Sequence, residues 1–503
     1  MNESSRVRGD AEFGALLFVG ALVPRLWLAL AWAGEAVWDG HYYDFGARRI
    51  AAGFGYSDDR TIDGHVVWHA WCHYPVGYSG FLALFYRVLG ASYATAAVAN
   101  ALVGAALALA TWALAKQGLR PWRARAAGIL VAIHPGLVVY SALVMSEPLA
   151  ALLTLLAFWL ATRDARPWRG LIRGALVLGL AALVRPQALL CAPFLALVLD
   201  RSPAAGPLCD PRRSARWTRA LGAAALACAV ALLPVLPWTA RNCRVMDGCA
   251  LVSTNAGWNL AIGAFPRATG RFETLRSSDG CREVTGQVQQ DRCWLSYGLQ
   301  QIADHPWHWL GLIPAKLGYT FDHESFAVEY LHEAHPEAWP EPRRVLGRAV
   351  TTFAHRLLVM AAAFGAIAFP LARRTGGAPR GAPGAVASWA AAVQGGLIAI
   401  AGGLAVFAVT ADEPTFWHLV IMATIVPWLP LPGAPERPPA IRLATSLLAT
   451  TMVTHAVFFG EDRYHVVVTP VLAMLAASAL RPSAAPRLAP RPWNGETEPR
   501  AST

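Results

Sequence analysis

Lysine is nearly missing from this 503-residue chain; Lys116 and Lys316 are the only two. Charge of either sign is scarce, at 15% of residues, against roughly 25% in soluble domains. That shortage excludes an ordinary soluble enzyme. With 55% hydrophobic residues and a mean hydropathy of +0.38, the composition is that of a polytopic membrane protein. The net charge of +11 does not mark a nucleic-acid binder. The arginines cluster between apolar runs, where the positive-inside rule puts them. No CxxC pair occurs, so the usual cysteine zinc sites are excluded. No internal repeat recurs at a fixed period. Phe13–Ala33 is too long for a signal peptide and is expected to be the first span.

About twelve spans are expected, each judged against the ~20 residues that cross the hydrocarbon layer. They fall near 13–33, 91–115, 124–143, 147–162, 169–184, 187–199, 219–238, 349–371, 384–410, 416–432, 441–459 and 465–480. The pair 169–184 and 187–199 is read as two short helices turning at Arg185-Pro186. One long span would put Arg185 at mid-helix, at a cost of ~2.5–3.5 kcal/mol. Proline also disfavours helix at the residue before it.

Arginine-rich connections then alternate with poor ones. This places both termini in the cytoplasm and two large segments, 34–90 and 239–348, outside. The expected division is 1–33 (N-terminus and span 1), 34–90 (catalytic loop), 91–238 (spans 2–7), 239–348 (second loop), 349–480 (spans 8–12) and 481–503 (disordered tail). Neither external loop is expected to have its own core. Gly77–Gly90 and Pro306–Phe321 are expected to lie along the interface. Five cysteines are external, and short spacing suggests the pairs Cys243–Cys249 and Cys281–Cys293, leaving Cys72 odd.

What the chain does have is concentrated between Trp38 and Leu89. Five aspartates, four histidines and six tyrosines crowd this loop. Asp39 lies just past span 1, where a carboxylate can take a proton from an acceptor hydroxyl; a solvated aspartate is the ordinary alternative. Asp44, a few residues on, is a partner for it or a helix N-terminal charge. His73 can donate to a phosphate or be satisfied by water. His65, His69 and His73 recur every four residues, a weak metal pattern that Gly64 does not secure on a helix. No metal ligand set is therefore assigned. Glu147 opens span 4 behind Ser146, a plausible cap. Arg185, Arg241 and Arg463 each sit where a span reaches the outer face. Guanidinium groups at that depth suit a phosphate, although each alone can be snorkelling. Asn255 lies in a polar run, 253–259, that can line a sugar site or be a plain loop.

Six motifs in order carry a resemblance. Asp39 and Tyr43 precede Gly53-Phe54-Gly55-Tyr56; then come His73-Tyr74-Pro75-Val76-Gly77-Tyr78, Ser146-Glu147-Pro148-Leu149 and Leu183-Val184-Arg185-Pro186. Pro237-Trp238 with Arg241-Asn242 and Ser253-Thr254-Asn255 follows, and Arg463-Tyr464 with Pro470 closes the set. Together they resemble bacterial polytopic glycosyltransferases of the GT-C fold, in the group with protein O-mannosyltransferases and the aminoarabinose transferase of lipid A. The resemblance implies an all-α polytopic bundle with two large extracytoplasmic loops in the bacterial plasma membrane. It implies inverting transfer of a sugar from a polyprenyl-phosphate donor to an outer-face acceptor, without a nucleotide sugar. Asp39 carries over as the acid/base group. His73, Arg185, Arg241 and Arg463 are assigned to the donor phosphate. Tyr43, Asp44, Tyr78, Glu147, Asn255 and Tyr464 are assigned to the substrate. The sequence departs from the group at Gly40, where many relatives have a second acid, and at His73-Tyr74, where they have a basic residue and proline. No cofactor is expected beyond the lipid-linked sugar, and no nucleic-acid partner.

The rival class is a transporter or lipid flippase. Transporters place polar groups at the midplane of interrupted, repeated helices. Here the acids lie at the outer boundary. A non-enzymatic scaffold would not need the Asp/His/Tyr loop.

Overall fold

The computed structural model describes residues 3–199, 212–368, 403, 417–425 and 438–480. It is helical but for one hairpin. Among the described residues, five helices are long and apolar enough to cross a membrane, or seven if each bent pair is one span. They are Arg8–Ala31, Tyr93–Ala115, Pro167–Val184, Glu341–Ala366 and Pro439–Val457, with the bent pairs at 121–142 and 217–245. The expectation of about twelve is not met by this set. Three of the remaining expected spans are short here: Glu147–Arg163, the 3-10 helix Pro186–Val198 and Thr469–Ala479; the one expected at 416–432 is described only over 417–425. The span expected at 384–410 lies outside the described residues, apart from residue 403, as does the tail from 481.

The first long helix, α1 (Glu3–Ala31), packs on α4 (Tyr93–Ala115), which also holds α5 (Pro121–Ile133) and α7 (Glu147–Arg163). Small residues make this close packing possible; Ala101, Ala105, Ala108 and Ala115 of α4 are buried. Between α5 and α6 (Pro135–Val139) the chain bends by 55° at His134. Pro135 has no N–H for the carbonyl of Val131, four residues back. Arg25 of α1 supplies the missing donors, with Nη2 2.8 Å from the Val131 oxygen and Nη1 2.6 Å from that of Ala132. Arg25 is fully buried, and a Cβ at Gly104 would lie 2.7 Å from its Nε. An apolar span thus holds a guanidinium because a broken helix offers it carbonyls.

The break at Arg185-Pro186 is present. α8 (Pro167–Val184) ends there, and the 3-10 helix Pro186–Val198 packs back against it. The segment 34–90 forms α2 (Asp39–Ala51), a hairpin of β1 (Ser57–Ile62) and β2 (His65–Ala70), and α3 (Val76–Leu89). The hairpin was not foreseen, although Asp63-Gly64 signals it: both residues have positive φ, 51° and 79°, as a type I′ turn requires. His65 and His69 are therefore on a strand, and His69 Nδ1 lies 2.7 Å from Asp58 across it.

The segment 239–348 is largely helical. Buried Trp294 on α12 (Gln287–Asp304) packs with Ile262, Phe265 and Leu275 into a small core shared with Phe459 and Tyr464. The cluster is not the segment's own, since Phe459 and Tyr464 from the 455–467 region complete it. Both expected disulfides, Cys243–Cys249 and Cys281–Cys293, are present, and Cys72 is free and buried.

Candidate active site

Asp39 is the first residue of α2, behind Trp38, whose φ of 51° is unusual for a bulky residue. The second loop holds this entry. Tyr330 on α15 (Phe326–Ala334) receives the Val37 N–H at 3.2 Å, and the Trp38 ring packs on Phe326 and Tyr330. A Cβ at Gly40 would lie 2.3 Å from the Tyr330 hydroxyl. This explains the departure at that position: no side chain, and so no second acid, fits there.

The Asp39 carboxylate is gripped on both oxygens. Tyr74 donates to Oδ1 at 2.7 Å, and Arg463 Nη1 donates to Oδ2 at 2.5 Å. Burial opposes the negative charge, but Arg463, the Tyr74 hydrogen bond and more distant Arg185 outweigh it and hold the carboxyl below its ordinary range. Asp39 is therefore ionised at neutral pH. Its side chain keeps 23% exposure, so a substrate can reach it.

Arg463 opens onto further groups. Its Nε faces Glu461 at 2.9 Å, and its Nη2 donates to the Tyr464 hydroxyl at 3.2 Å. Burial raises the Glu461 carboxyl despite Arg463. A second ion pair stands close by, Arg185 Nη1 to Glu147 Oε1 at 2.7 Å, with Glu147 fully buried at the start of α7. The Tyr464 ring joins the two, lying 5.4 Å from the Arg185 guanidinium and 5.0 Å from that of Arg463. Ser146 Oγ reaches the Tyr43 hydroxyl at 3.4 Å. Burial, then the charge of Asp39, raises Tyr43 above the ordinary tyrosine range, so it stays protonated. A small pocket beside this cluster is lined by Arg185, Tyr464, Thr154, Leu447, Thr450 and His455.

The structure thus brings together Asp39, Tyr43, Glu147, Arg185, Arg463 and Tyr464. His73 is adjacent, its ring against Tyr74 and Trp258. Burial lowers its basicity more than nearby Asp39 raises it, so it is neutral at pH 7. Four expected site residues have their hydrogen bonds elsewhere. Asp44 is taken up by Arg48 at 2.6 Å and Tyr86 at 2.5 Å. Tyr78 donates to Asn100 at 2.9 Å within the packing of α3 on α4. Arg241 ties the first loop to the second through the carbonyls of Tyr56 at 2.6 Å and Trp71 at 3.1 Å. Asn255 accepts from Ser253 at 2.9 Å before α11 (Ala256–Ala264). Sequence reading missed Tyr74 and Glu461 as members of the cluster. Tyr74 carried a signal, since it replaces a proline of the group.

Residues 73–238 match the family model described as dolichyl-phosphate-mannose-protein mannosyltransferase. The motif resemblance to GT-C glycosyltransferases stands with that match. Asp39 and Arg463 lie outside the matched residues. No curated protein matches the sequence. Among solved structures, the chain is similar to the archaeal oligosaccharyltransferase AglB from Archaeoglobus fulgidus, solved with an inhibitory peptide and a dolichol-phosphate. The identity is 15% and the TM-score 0.38, covering 93% of this chain and 50% of that one. It is also similar to ArnT from Cupriavidus metallidurans bound to undecaprenyl phosphate, at 13% identity and a TM-score of 0.34, covering 92% and 77%. The chain spans about half the length of the oligosaccharyltransferase.

Proposed function

We propose that the protein is a membrane glycosyltransferase that moves a sugar from a polyprenyl-phosphate donor to an acceptor on the outer face of the membrane. What carries the reading is the Asp39 carboxylate, ionised and partly exposed, set against two guanidinium groups. The dolichol-phosphate and undecaprenyl phosphate named with AglB and ArnT support the choice of donor class.

The chemistry is a single displacement. The acceptor hydroxyl attacks the anomeric carbon as Asp39 takes its proton, and the C–O bond to phosphate breaks with inversion. The leaving phosphate gains charge, and Arg185 and Arg463 stabilise it. In the resting protein both arginines are already neutralised by Glu147, Asp39 and Glu461. A donor phosphate competes for Arg463, and its arrival loosens the grip on Asp39, so the base is freed only when donor is present. His73, Tyr43 and Tyr464 line the sugar and phosphate. No cofactor enters this displacement. The loop division, the cytoplasmic termini and the plasma-membrane location belong to the same proposal.

The test is transfer from radiolabelled polyprenyl-phosphate sugars by the purified protein in detergent. Labelled acceptor with an inverted anomeric centre is expected. Lipid binding and movement between leaflets without any turnover would instead favour a flippase.

A further inference from the structure

Behind the site lies a second cluster that the displacement does not use. Glu324, in the turn between α14 (Ile313–Phe321) and α15, is 2% exposed. Three buried histidines surround its carboxylate. His134 Nε2 lies 3.8 Å from Oε2, His355 Nδ1 3.9 Å and His465 Nε2 3.6 Å. Among the described residues, neither Glu324 oxygen has a hydrogen-bond partner, and none of these three ring nitrogens has one. Buried polar atoms left so are costly and call for an account.

The far side of two of the rings fixes what faces inward. His355 Nε2 is 3.0 Å from the Phe321 carbonyl, and His465 Nδ1 is 2.8 Å from that of Thr320. A carbonyl only accepts, so each of those nitrogens carries its proton. In the neutral rings, His355 Nδ1 and His465 Nε2 are then bare lone pairs aimed at a carboxylate. At His134, the Leu137 N–H approaches Nδ1 at 3.5 Å, too far to fix the tautomer. Lone pairs turned toward an anion in a buried space repel, unless a cation sits among them.

We propose that His134, Glu324 and His355 form a buried site for a divalent transition metal of the zinc class, with the His465 ring stacked on that of His355 at 3.7 Å behind it. His134, Glu324 and His355 each offer a ligand atom within 4.8 Å of the others. Ligand atoms ~2.0–2.1 Å from a tetrahedral Zn²⁺ stand roughly 3.3–3.4 Å apart. The carboxylate-to-nitrogen distances of 3.8 Å and 3.9 Å need only a small contraction to reach that value. A water or the second Glu324 oxygen would fill the fourth position. Backbone carbonyls behind ligating histidines are the usual outer partners, because they orient the ring and make it more basic. Mixed imidazole and carboxylate donors suit zinc better than calcium or magnesium. The backbone makes room as well: a Cβ at Gly136 would lie 1.4 Å from Glu324 Oε1.

The ion joins the His134 break, the 322–325 turn and α16 (Glu341–Ala368), and reaches the 3-10 helix Asp462–Val467 through the His465 ring stacked on His355. That last element carries Arg463 two residues from His465. Asp462 already fastens the same turn, accepting from the amides of Ser325 and Phe326. The metal is thus a positioning group for Arg463, and it does not touch substrate. The inference stands apart from the proposed transfer and holds for a flippase equally.

The test is elemental analysis of the full-length protein, purified in detergent without a histidine tag, with Co²⁺ replacement after chelation. A stoichiometric zinc content and the intense visible bands of tetrahedral Co²⁺ are expected. Glu324→Gln and His355→Gln should weaken Co²⁺ binding by at least about tenfold. His69→Asn, on the exposed hairpin, should leave it unchanged. Wild-type protein with no metal and no visible Co²⁺ bands would overturn the proposal, even if the buried variants failed to fold. That result would leave a proton shared between Glu324 and the histidines in the ion's place. Bands that survive Glu324→Gln and vanish in His69→Asn would also overturn it.

Discussion

Replacing Tyr74 with phenylalanine removes one of the two hydrogen bonds on Asp39 and leaves the other. The lost contact is a 2.7 Å bond to an ionised carboxylate, while Arg463 stays on Oδ2 at 2.5 Å. A hydrogen bond to a charged group contributes about 1.5–3 kcal/mol net. One pKa unit corresponds to about 1.4 kcal/mol. Tyr74→Phe should therefore raise the Asp39 pKa by roughly one to two units. If Asp39 must be ionised to accept the proton, the acid limb of kcat/KM rises with it. In the wild type that limb lies below the ordinary carboxylate value of ~3.9, because the folded pKa is depressed. In the variant it moves upward, toward the ordinary carboxylate range. The stability effect has the same sign. The depressed pKa adds stability above ~3.9 that is lost as pH falls through the folded value, and the variant reduces that gain. The assay is the pH profile of sugar transfer, with melting in detergent as a control. A folded variant whose acid limb does not move would refute Asp39 as the ionising group.

Other outcomes follow from the same geometry. Gly40→Asp should destabilise by about 3 kcal/mol or more in chemical denaturation, since its Cβ would meet the Tyr330 hydroxyl at 2.3 Å. Arg241→Met should cost about 1.5–3 kcal/mol of stability and speed proteolysis of the hairpin, with donor KM unchanged in the folded fraction. A KM rise at full stability would return Arg241 to the phosphate. Lys316 has no acidic partner within its burial, and desolvation lowers its pKa to about 7. The unfolded chain therefore binds more protons between about pH 7 and 10.4, and stability rises with pH across that window. Lys316→Met should flatten this rise in thermal melts.

Much of the frame was legible because apolar runs and arginine placement report the membrane directly. The turn at Arg185-Pro186 could be read for a local reason, the steric demand of proline. Both disulfides could be read from short spacing alone. The number of spans could not, since Val76–Leu89 and Thr469–Ala479 are as apolar as spans but short. The hairpin was missed because His65, His69 and His73 drew the eye to a four-residue period, although Asp63-Gly64 sets a turn. In the site, Asp39, Arg185 and Arg463 could be nominated one at a time from their depth. Their pairing could not, because Asp39 and Arg463 stand at opposite ends of the chain. Asp44 and Tyr78 looked equally functional, but hydrogen bonds to Tyr86 and Asn100 bind them into the packing. The Glu324 cluster was invisible for the same reason: its histidines come from three distant segments.

The most direct test is transfer from a polyprenyl-phosphate sugar by wild type and Asp39→Asn, side by side in detergent at matched folded fraction. The account predicts turnover in the wild type and a loss of about 10²–10⁴-fold in the variant. Full transfer by folded Asp39→Asn would contradict it.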